Sequence, residues 1–141
     1  MIEDPPRSAR LCDLSRTPGT RPGATDPAPL LGRWVNYDPT TTGIVELCAW
    51  QRAGVVMVYA TSLVDGAQQG WGEVVAGMFT GSVDSTEAAG FTAQYDFGEL
   101  RVLLAAYLNN RLLVLDAYST FAGPDRRASY FQRDHLYLPP R

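Results

Sequence analysis

Three apolar runs, each as long as a β-strand, follow one another between residues 91 and 121, and short polar pairs separate them. The first pair is Gly98-Glu99 and the second is Asn109-Asn110. Glycine at the first loop position suits a type II′ turn, and asparagine tolerates the positive φ that a type I′ turn needs at both loop positions. The pattern predicts a three-stranded antiparallel meander with two-residue turns.

The first turn also predicts which side chains of the meander face inward. With Gly98-Glu99 as the loop, Asp96 lies opposite Arg101, and such a pair of opposite charges favours the solvent side of a sheet. Because side chains alternate along a strand, the other face is then the inner one. The predicted inner set is Phe91, Ala93, Tyr95, Phe97, Val102, Leu104, Ala106, Leu113, Leu115 and Ala117. The outer face keeps an apolar patch of Leu103, Ala105, Tyr107, Leu112 and Val114 beside Asp116 and Tyr118, which we expect to be covered.

Two further strands, residues 43–51 and 55–62, are joined near Ala53-Gly54, and two registers are open for them. A two-residue loop places Glu46, Cys48, Trp50, Met57, Tyr59 and Thr61 on one face and Val45, Leu47, Ala49, Val56, Val58 and Ala60 on the other. A three-residue loop with a bulge at Gly54 shifts the pairing by one residue.

The remaining pattern completes an all-β domain. Residues 63–70 are predicted as a loop, and the strand after it places Trp71, Glu73, Val75 and Phe79 on one side. A last strand follows the turn at residues 123–125. About eight short strands without a convincing helix predict an eight-stranded antiparallel up-and-down β-barrel. Such a barrel has room inside for side chains or for one small ligand.

Composition limits the domain organisation and the partners. Residues 1–30 are rich in Pro, Gly, Ser, Thr and Arg without periodicity, so we predict an irregular N-terminal tail before a barrel domain at 31–138. A chain of 141 residues with a net charge of −3 has one core and no basic surface for nucleic acid. No apolar run approaches the roughly 20 residues of a membrane span, and the acidic start lacks the apolar core of a signal peptide. We therefore predict a cytoplasmic protein that contacts neither nucleic acid nor membrane, in which Cys12 and Cys48 are more simply free thiols than a disulfide.

Familiar catalytic motifs are missing from the sequence. His135 is the only histidine, and no serine stands in a nucleophile-elbow pattern that could pair with it. The two cysteines and the histidine lack metal-ligand spacing, and the glycines near residue 70 are followed by neither Lys nor a helix. No metal site and no cofactor are therefore predicted.

Acidic and aromatic residues are the candidates that remain. Glu46 would suit acid or base catalysis if it faced inward, although an outward Glu on a solvated face is the favoured interpretation. Tyr95 is predicted to face inward, where its hydroxyl needs a partner: a neighbouring strand, a water or a ligand. These two are the candidate catalytic residues. The candidate ligand-binding residues are Trp34, Trp50, Met57, Tyr59, Trp71, Glu73 and Phe97.

Gly32-Arg33-Trp34, at the start of the first strand, resembles the Gly-x-Trp signature of lipocalins and related barrels, the calycin group. The resemblance implies that the Trp closes one end of the barrel and that an Arg late in the last strand packs on it. Arg133 or Arg127 would take that place. The domain is nearer in size to avidin-like barrels than to lipocalins.

Two functions of different classes follow from these expectations. The first is a small-molecule-binding barrel that encloses a largely apolar or aromatic ligand. By analogy with calycin-like barrels of bacterial specialised metabolism, it would either only bind the ligand or act as a cyclase or isomerase. The alternative is a non-catalytic interaction module with a solid core and a subunit contact at Leu103, Leu112 and Val114. A homodimer is expected under either function. A chamber of several hundred Å³, lined by Tyr95 and by Glu46, Glu73 or Tyr59, would favour the first.

Overall fold

The computed structural model describes residues 25–122 and 127–140, and within them it forms a closed antiparallel barrel. A short 3-10 helix, Ala28–Leu30, precedes the first strand. The strands are β1 (Gly32–Asn36), β2 (Ile44–Arg52), β3 (Val55–Val64), β4 (Ala67–Thr80), β5 (Ala88–Asp96), β6 (Leu100–Asn109), β7 (Leu112–Phe121) and β8 (Tyr130–Tyr137). Each strand pairs with the next in the chain, and β8 pairs with β1 to close the ring. The predicted all-β, eight-stranded up-and-down barrel is confirmed.

The turn between β5 and β6 has the predicted register. Asp96 pairs with Arg101, and Tyr95 pairs with Val102. Gly98 has a φ of 91°, as the first loop position of a type II′ turn requires. The predicted inner face of the meander is correct, because its members from Phe91 to Leu115 are buried or packed against the core, apart from Phe97 at the end of its strand.

The second turn of the meander lies one residue later than predicted. Asn109 pairs with Leu112, so the loop is Asn110-Arg111, with φ values of 51° and 70°. This register places Leu108 opposite Leu113, and both side chains contact the core. The partners shift by two residues relative to the prediction, so the inner and outer faces stay as predicted.

The loop between β2 and β3 is the two-residue alternative. Ala53 and Gly54 both have positive φ, and Arg52 pairs with Val55. One detail differs at the other end of β2, where a bulge between Ile44 and Glu46 turns Ile44 inward in place of Val45.

The predicted loop at residues 63–70 is wrong. Asp65 and Gly66 form a two-residue turn with φ values of 52° and 80°, and strand pairing resumes at once between Val64 and Ala67. The predicted common side of Trp71 and Glu73 is also wrong. An irregularity in the β3–β4 pairing at Gly72, whose φ is 94°, turns Trp71 toward the core and leaves Glu73 outside.

The two ends of the barrel differ. At one end, here called the closed end, the 3-10 helix packs beneath the strands and the Trp34 indole N–H donates to the Leu30 carbonyl at 2.9 Å. The interior near this end is filled with large side chains. The most deeply buried are Trp34, Phe91, Leu30, Leu47, Leu104, Leu113, Leu115, Leu136 and Val58. The other end, here called the mouth, is formed by the loops after β1, β3, β5 and β7.

Most of the predicted tail lies outside the described residues, as does Cys12. Its last part belongs with the barrel, because Leu30 is fully buried and Asp26 forms a backbone bridge with Glu87. The predicted packing of Arg133 or Arg127 on Trp34 is wrong. Arg133 binds Asp116 outside the barrel, and Arg127 lies over Phe121. No helix among the described residues is long and apolar enough to cross a membrane.

Candidate functional site

A cavity of about 490 Å³ opens at the mouth of the barrel. Its apolar wall comes from the inner faces of five strands and the turn after β5. The side chains of this wall include Ile44, Trp71, Phe97, Leu100, Val102 and Ala117. Its polar groups include Ser62, Gln69, Ser119, Tyr130, Gln132 and Asp134. A pocket of this size and mixture is typical of sites for small organic molecules.

Side-chain size along the inner faces explains why the barrel is hollow at one end. Along β7, the inward residues run from Leu113 and Leu115 near the closed end to Ala117 and Ser119 at the mouth. The loop after β1 adds Gly43, whose missing side chain leaves space beside β8. Small residues at the mouth cannot fill a ring of eight strands, so the cavity follows from the sequence of the inner positions.

Three aromatic rings stand together where the cavity meets the core. Trp71 makes edge-to-face contacts with Tyr95 and Phe97 at centroid distances of 5.2 and 5.6 Å. Tyr95 stacks on Phe97 at 5.6 Å. The Trp71 indole N–H donates to the Ser62 hydroxyl at 3.0 Å, which fixes the ring against the wall. Trp71 and Phe97 line the cavity, whereas Tyr95 lies below them.

The Tyr95 hydroxyl is occupied by the backbone. It accepts a hydrogen bond from the Ala60 N–H at 3.1 Å and donates one to the Gly72 carbonyl at 2.7 Å. These two groups lie where the β3–β4 ladder is interrupted, so the hydroxyl replaces pairing that the irregularity removes. Burial raises the pKa of Tyr95, the bond from Ala60 opposes the rise, and Tyr59 adds to it. Of the three expected kinds of partner for this hydroxyl, the structure shows backbone groups of other strands, β3 and β4.

Asp134 lies on the inner face of β8 and lines the cavity. Its Oδ1 accepts hydrogen bonds from the Asn36 side-chain amide at 3.0 Å and from the Thr41 hydroxyl at 2.8 Å. Asn36 is itself held, because its amide also donates to the Ile44 carbonyl and its oxygen accepts from the Asp38 N–H. The carboxylate therefore has a fixed position.

Gly43 and Ser119 complete the polar side of the cavity. A Cβ at Gly43 would overlap the Asp134 carboxylate and the Gln132 amide, so glycine gives these groups their space. Ser119 is only 4% exposed and lines the cavity, and its hydroxyl makes no side-chain hydrogen bond within residues 25–122 and 127–140. With respect to the described residues, this buried hydroxyl is therefore available to a ligand or a water.

The structure brings only part of the predicted site together. Trp71 and Phe97 line the cavity, and Trp34 and Tyr95 are buried in the core without lining it. The residues placed on the outer surface are Glu46, Trp50, Met57, Tyr59 and Glu73. These five point away from the interior and do not line the cavity, so it does not bring them together with Trp71 and Phe97.

The outward carboxylates have partners on the surface. Glu46 forms an ion pair with Arg33 at 3.1 Å, and the Cys48 thiol donates to it at 3.4 Å. Glu73 binds the Arg52 guanidinium through both carboxylate oxygens. The favoured interpretation of Glu46, an outward residue on a solvated face, agrees with this placement.

Sequence reasoning missed Asp134, Ser119 and Gln132. All three point inward, because they alternate with outward residues such as Arg133 and Tyr118 on the same strands. The alternation of side chains along β7 and β8 could therefore have identified them from the sequence. Within the described part of the chain, no group of three His, Cys, Asp or Glu side chains is arranged to hold a metal ion.

Comparison with known proteins adds no assignment. No protein-family model matches the chain, and no curated protein and no solved structure shows significant similarity to it. What is established is therefore an eight-stranded closed antiparallel barrel with a cavity at its mouth.

Proposed function

We propose that the barrel binds a small, largely apolar molecule in the cavity at its mouth. The observation that supports this most directly is the contrast between a solid closed end and a 490 Å³ cavity at the other end. A few polar groups around an apolar wall are the usual composition of a pocket that orients one small ligand. A calycin-like relationship agrees with the closed barrel and with Trp34 buried at the closed end.

A catalytic role is a more specific proposal than ligand binding. A cyclase or isomerase of specialised metabolism would need an acid or a base beside the ligand. Glu46 lies outside the barrel and the Tyr95 hydroxyl is occupied, so neither predicted catalytic residue reaches the cavity. Asp134 and Tyr130 are the titratable side chains of the described cavity lining. Among the described residues, these two are the candidates for a proton transfer in the cavity.

Binding can be tested with a neutral apolar fluorophore, N-phenyl-1-naphthylamine, whose emission rises when it leaves water. We expect saturable binding with a 1:1 stoichiometry in the wild-type protein. Ser119→Leu places extra volume inside the cavity and should weaken binding about tenfold or more. Thr120→Leu adds the same kind of bulk on the outer face, because Thr120 is the exposed neighbour of Ser119, and it should bind like wild type.

Two results would overturn the proposal: no saturable binding of any small apolar probe, neutral or charged, by the folded wild-type protein, or equal binding of the fluorophore by the two leucine variants. Native mass spectrometry of the protein as purified gives a second measurement, because a retained molecule would appear as added mass.

The alternative, a homodimeric interaction module, keeps one supporting observation. Leu103, Tyr107, Tyr118 and Phe131, here called the outer patch, are between 41% and 49% exposed on neighbouring strands. Of the residues predicted for a subunit contact, Leu103 is in this patch, whereas Val114 is already buried within the chain. We propose that a second copy binds here if the protein dimerises.

Sedimentation velocity tests this alternative. Leu103→Glu should convert a dimer to a monomer, whereas Val75→Glu, which changes an exposed aliphatic residue on β4, should leave the dimer intact. A wild-type monomer at high concentration would rule out the dimer without affecting the ligand proposal.

A further inference from the structure

The charges that line the cavity indicate which class of ligand it would accept. Asp134 is the only charged side chain among the lining residues that the structure describes. The arginines of the wall are turned outward and have carboxylate partners there: Arg33 with Glu46, Arg52 with Glu73, Arg101 with Asp96 and Arg133 with Asp116. The cavity therefore contains a negative charge that none of these four cations faces.

The hydrogen bonds of Asp134 hold it without neutralising it. Both donors to Oδ1, the Asn36 amide and the Thr41 hydroxyl, are uncharged. Oδ2 lies against Gly43, where only the absence of a Cβ gives it room, and it accepts no hydrogen bond from the described part of the chain. Asp134 lines the cavity, and a carboxylate with one oxygen fixed by the protein and one oxygen open to a further hydrogen bond is a ready acceptor for a charged donor.

The opposite wall suits the rest of a cationic ligand. Trp71 and Phe97 line the same cavity as Asp134, and the indole of Trp71 is fixed by its bond to Ser62. Aromatic faces attract ammonium groups as well as apolar carbon. A ligand with a carboxylate would meet repulsion from Asp134 in a pocket with weak screening.

We propose that the ligand is an organic amine, whose ammonium group binds the open oxygen of Asp134 and whose apolar body lies against Trp71 and Phe97. This inference rests on the proposed function, because it names the class of molecule that the same cavity binds. It also makes Asp134 the residue that determines specificity.

Three compounds on one skeleton separate charge from shape: 2-(1-naphthyl)ethylamine, 2-(1-naphthyl)ethanol and 3-(1-naphthyl)propanoate. Isothermal titration calorimetry of the full chain should give the amine an affinity about tenfold or more above that of the alcohol. The acid should bind more weakly than the alcohol. Asp134→Asn should reduce the affinity for the amine to that for the alcohol and leave the alcohol unchanged, whereas Asp96→Asn, on the outer face, should change neither.

The outcomes distinguish this inference from the proposed function. If the neutral fluorophore and the alcohol bind but the amine has no advantage over them, the inference is wrong and the binding function stands. If none of the probes binds, both fail. Should Asp134→Asn not fold, the order of the three affinities in the wild-type protein alone supports or overturns the inference.

Discussion

At the scale of single residues, Tyr95 shows how a candidate catalytic group can be a structural one. Its hydroxyl supplies a donor and an acceptor to Gly72 and Ala60, whose strands do not pair regularly at that point. A core tyrosine satisfied internally and a ligand-facing tyrosine look the same in a sequence, because both follow the same alternation. The structure distinguishes them, because the hydroxyl of Tyr95 on β5 bonds to backbone groups of both β4 and β3.

Removing this hydroxyl should destabilise the protein without weakening ligand binding. Tyr95→Phe leaves the buried Ala60 N–H and Gly72 carbonyl without their partner, and we expect a loss of about 1–3 kcal/mol in the free energy of unfolding. Urea unfolding measures this loss. Tyr118→Phe, which removes a hydroxyl from a half-exposed ring, should change stability by less than about 0.5 kcal/mol. Equal losses in both variants would contradict the structural role.

The same hydroxyl predicts how stability depends on alkaline pH. Burial raises the pKa of Tyr95 in the folded protein above the unfolded value of about 10, so the folded state holds the phenol proton more tightly. Its contribution to stability is complete below about pH 10 and is lost as pH rises through the folded pKa. Urea unfolding between pH 9 and about 11 should show a steeper fall in wild type than in Tyr95→Phe. Parallel curves would contradict this prediction.

Cys48 gives a second prediction at this scale. Burial, followed by the hydrogen bond and negative charge of Glu46, raises the pKa of its thiol, while Arg33 opposes the rise. Replacing Glu46 by Gln removes the negative charge and should lower this pKa, so more thiolate is present at a given pH. In a Cys12→Ser background, the iodoacetamide reaction of Cys48 at pH 8 should be faster in Glu46→Gln and unchanged in Glu73→Gln. A slower reaction in Glu46→Gln would contradict the assignment.

At the scale of elements, the turns were the best guide to the fold and irregular pairing was the least visible feature. Gly98-Glu99 and Ala53-Gly54 have local chemistry that sets a register. Asp65-Gly66 has equally good turn chemistry, but the polar residues after it concealed the strand that follows. A bulge shifts the inward–outward alternation of a strand by one residue, and its position depends on the neighbouring strands. The orientations of Val45 and Trp71 could therefore not be deduced from the sequence of their own strands.

The 3-10 helix before β1 lies within the predicted tail and packs against the barrel. Leu30 is fully buried beneath the barrel, so Leu30→Ala should lower the free energy of unfolding by about 2–5 kcal/mol. Val83→Ala is the matched control, because Val83 is 99% exposed and its truncation should have almost no effect. Thermal unfolding compares the two variants. A negligible loss in Leu30→Ala would place the boundary at residue 31, as the sequence predicted.

At the scale of the whole molecule, the barrel architecture could be predicted from the sequence, whereas the position of the cavity could not. Counting turns and strands was enough for an eight-stranded barrel. The decrease in side-chain size along β7, from Leu113 to Ser119, is visible in the sequence. It predicts a cavity only when one knows which ends of the other strands lie at the same end of the barrel. A cavity of several hundred Å³ is present, but neither Tyr95 nor Glu46, Glu73 or Tyr59 lines it. The cytoplasmic location and the homodimer stay predictions.

The ring of strands is closed by a very short seam. Within the described residues, two residue pairs join β1 to β8, Val35 with Tyr137 and Asn36 with Leu136. The Tyr37 N–H then donates a hydrogen bond to the His135 carbonyl. Asn36 at this seam also donates a hydrogen bond to Asp134, so a ligand bound to that carboxylate would stabilise the pairing of β1 with β8. Hydrogen–deuterium exchange at the Tyr37 amide would then be slower with ligand than without it, and ligand binding would be coupled to closure of the barrel.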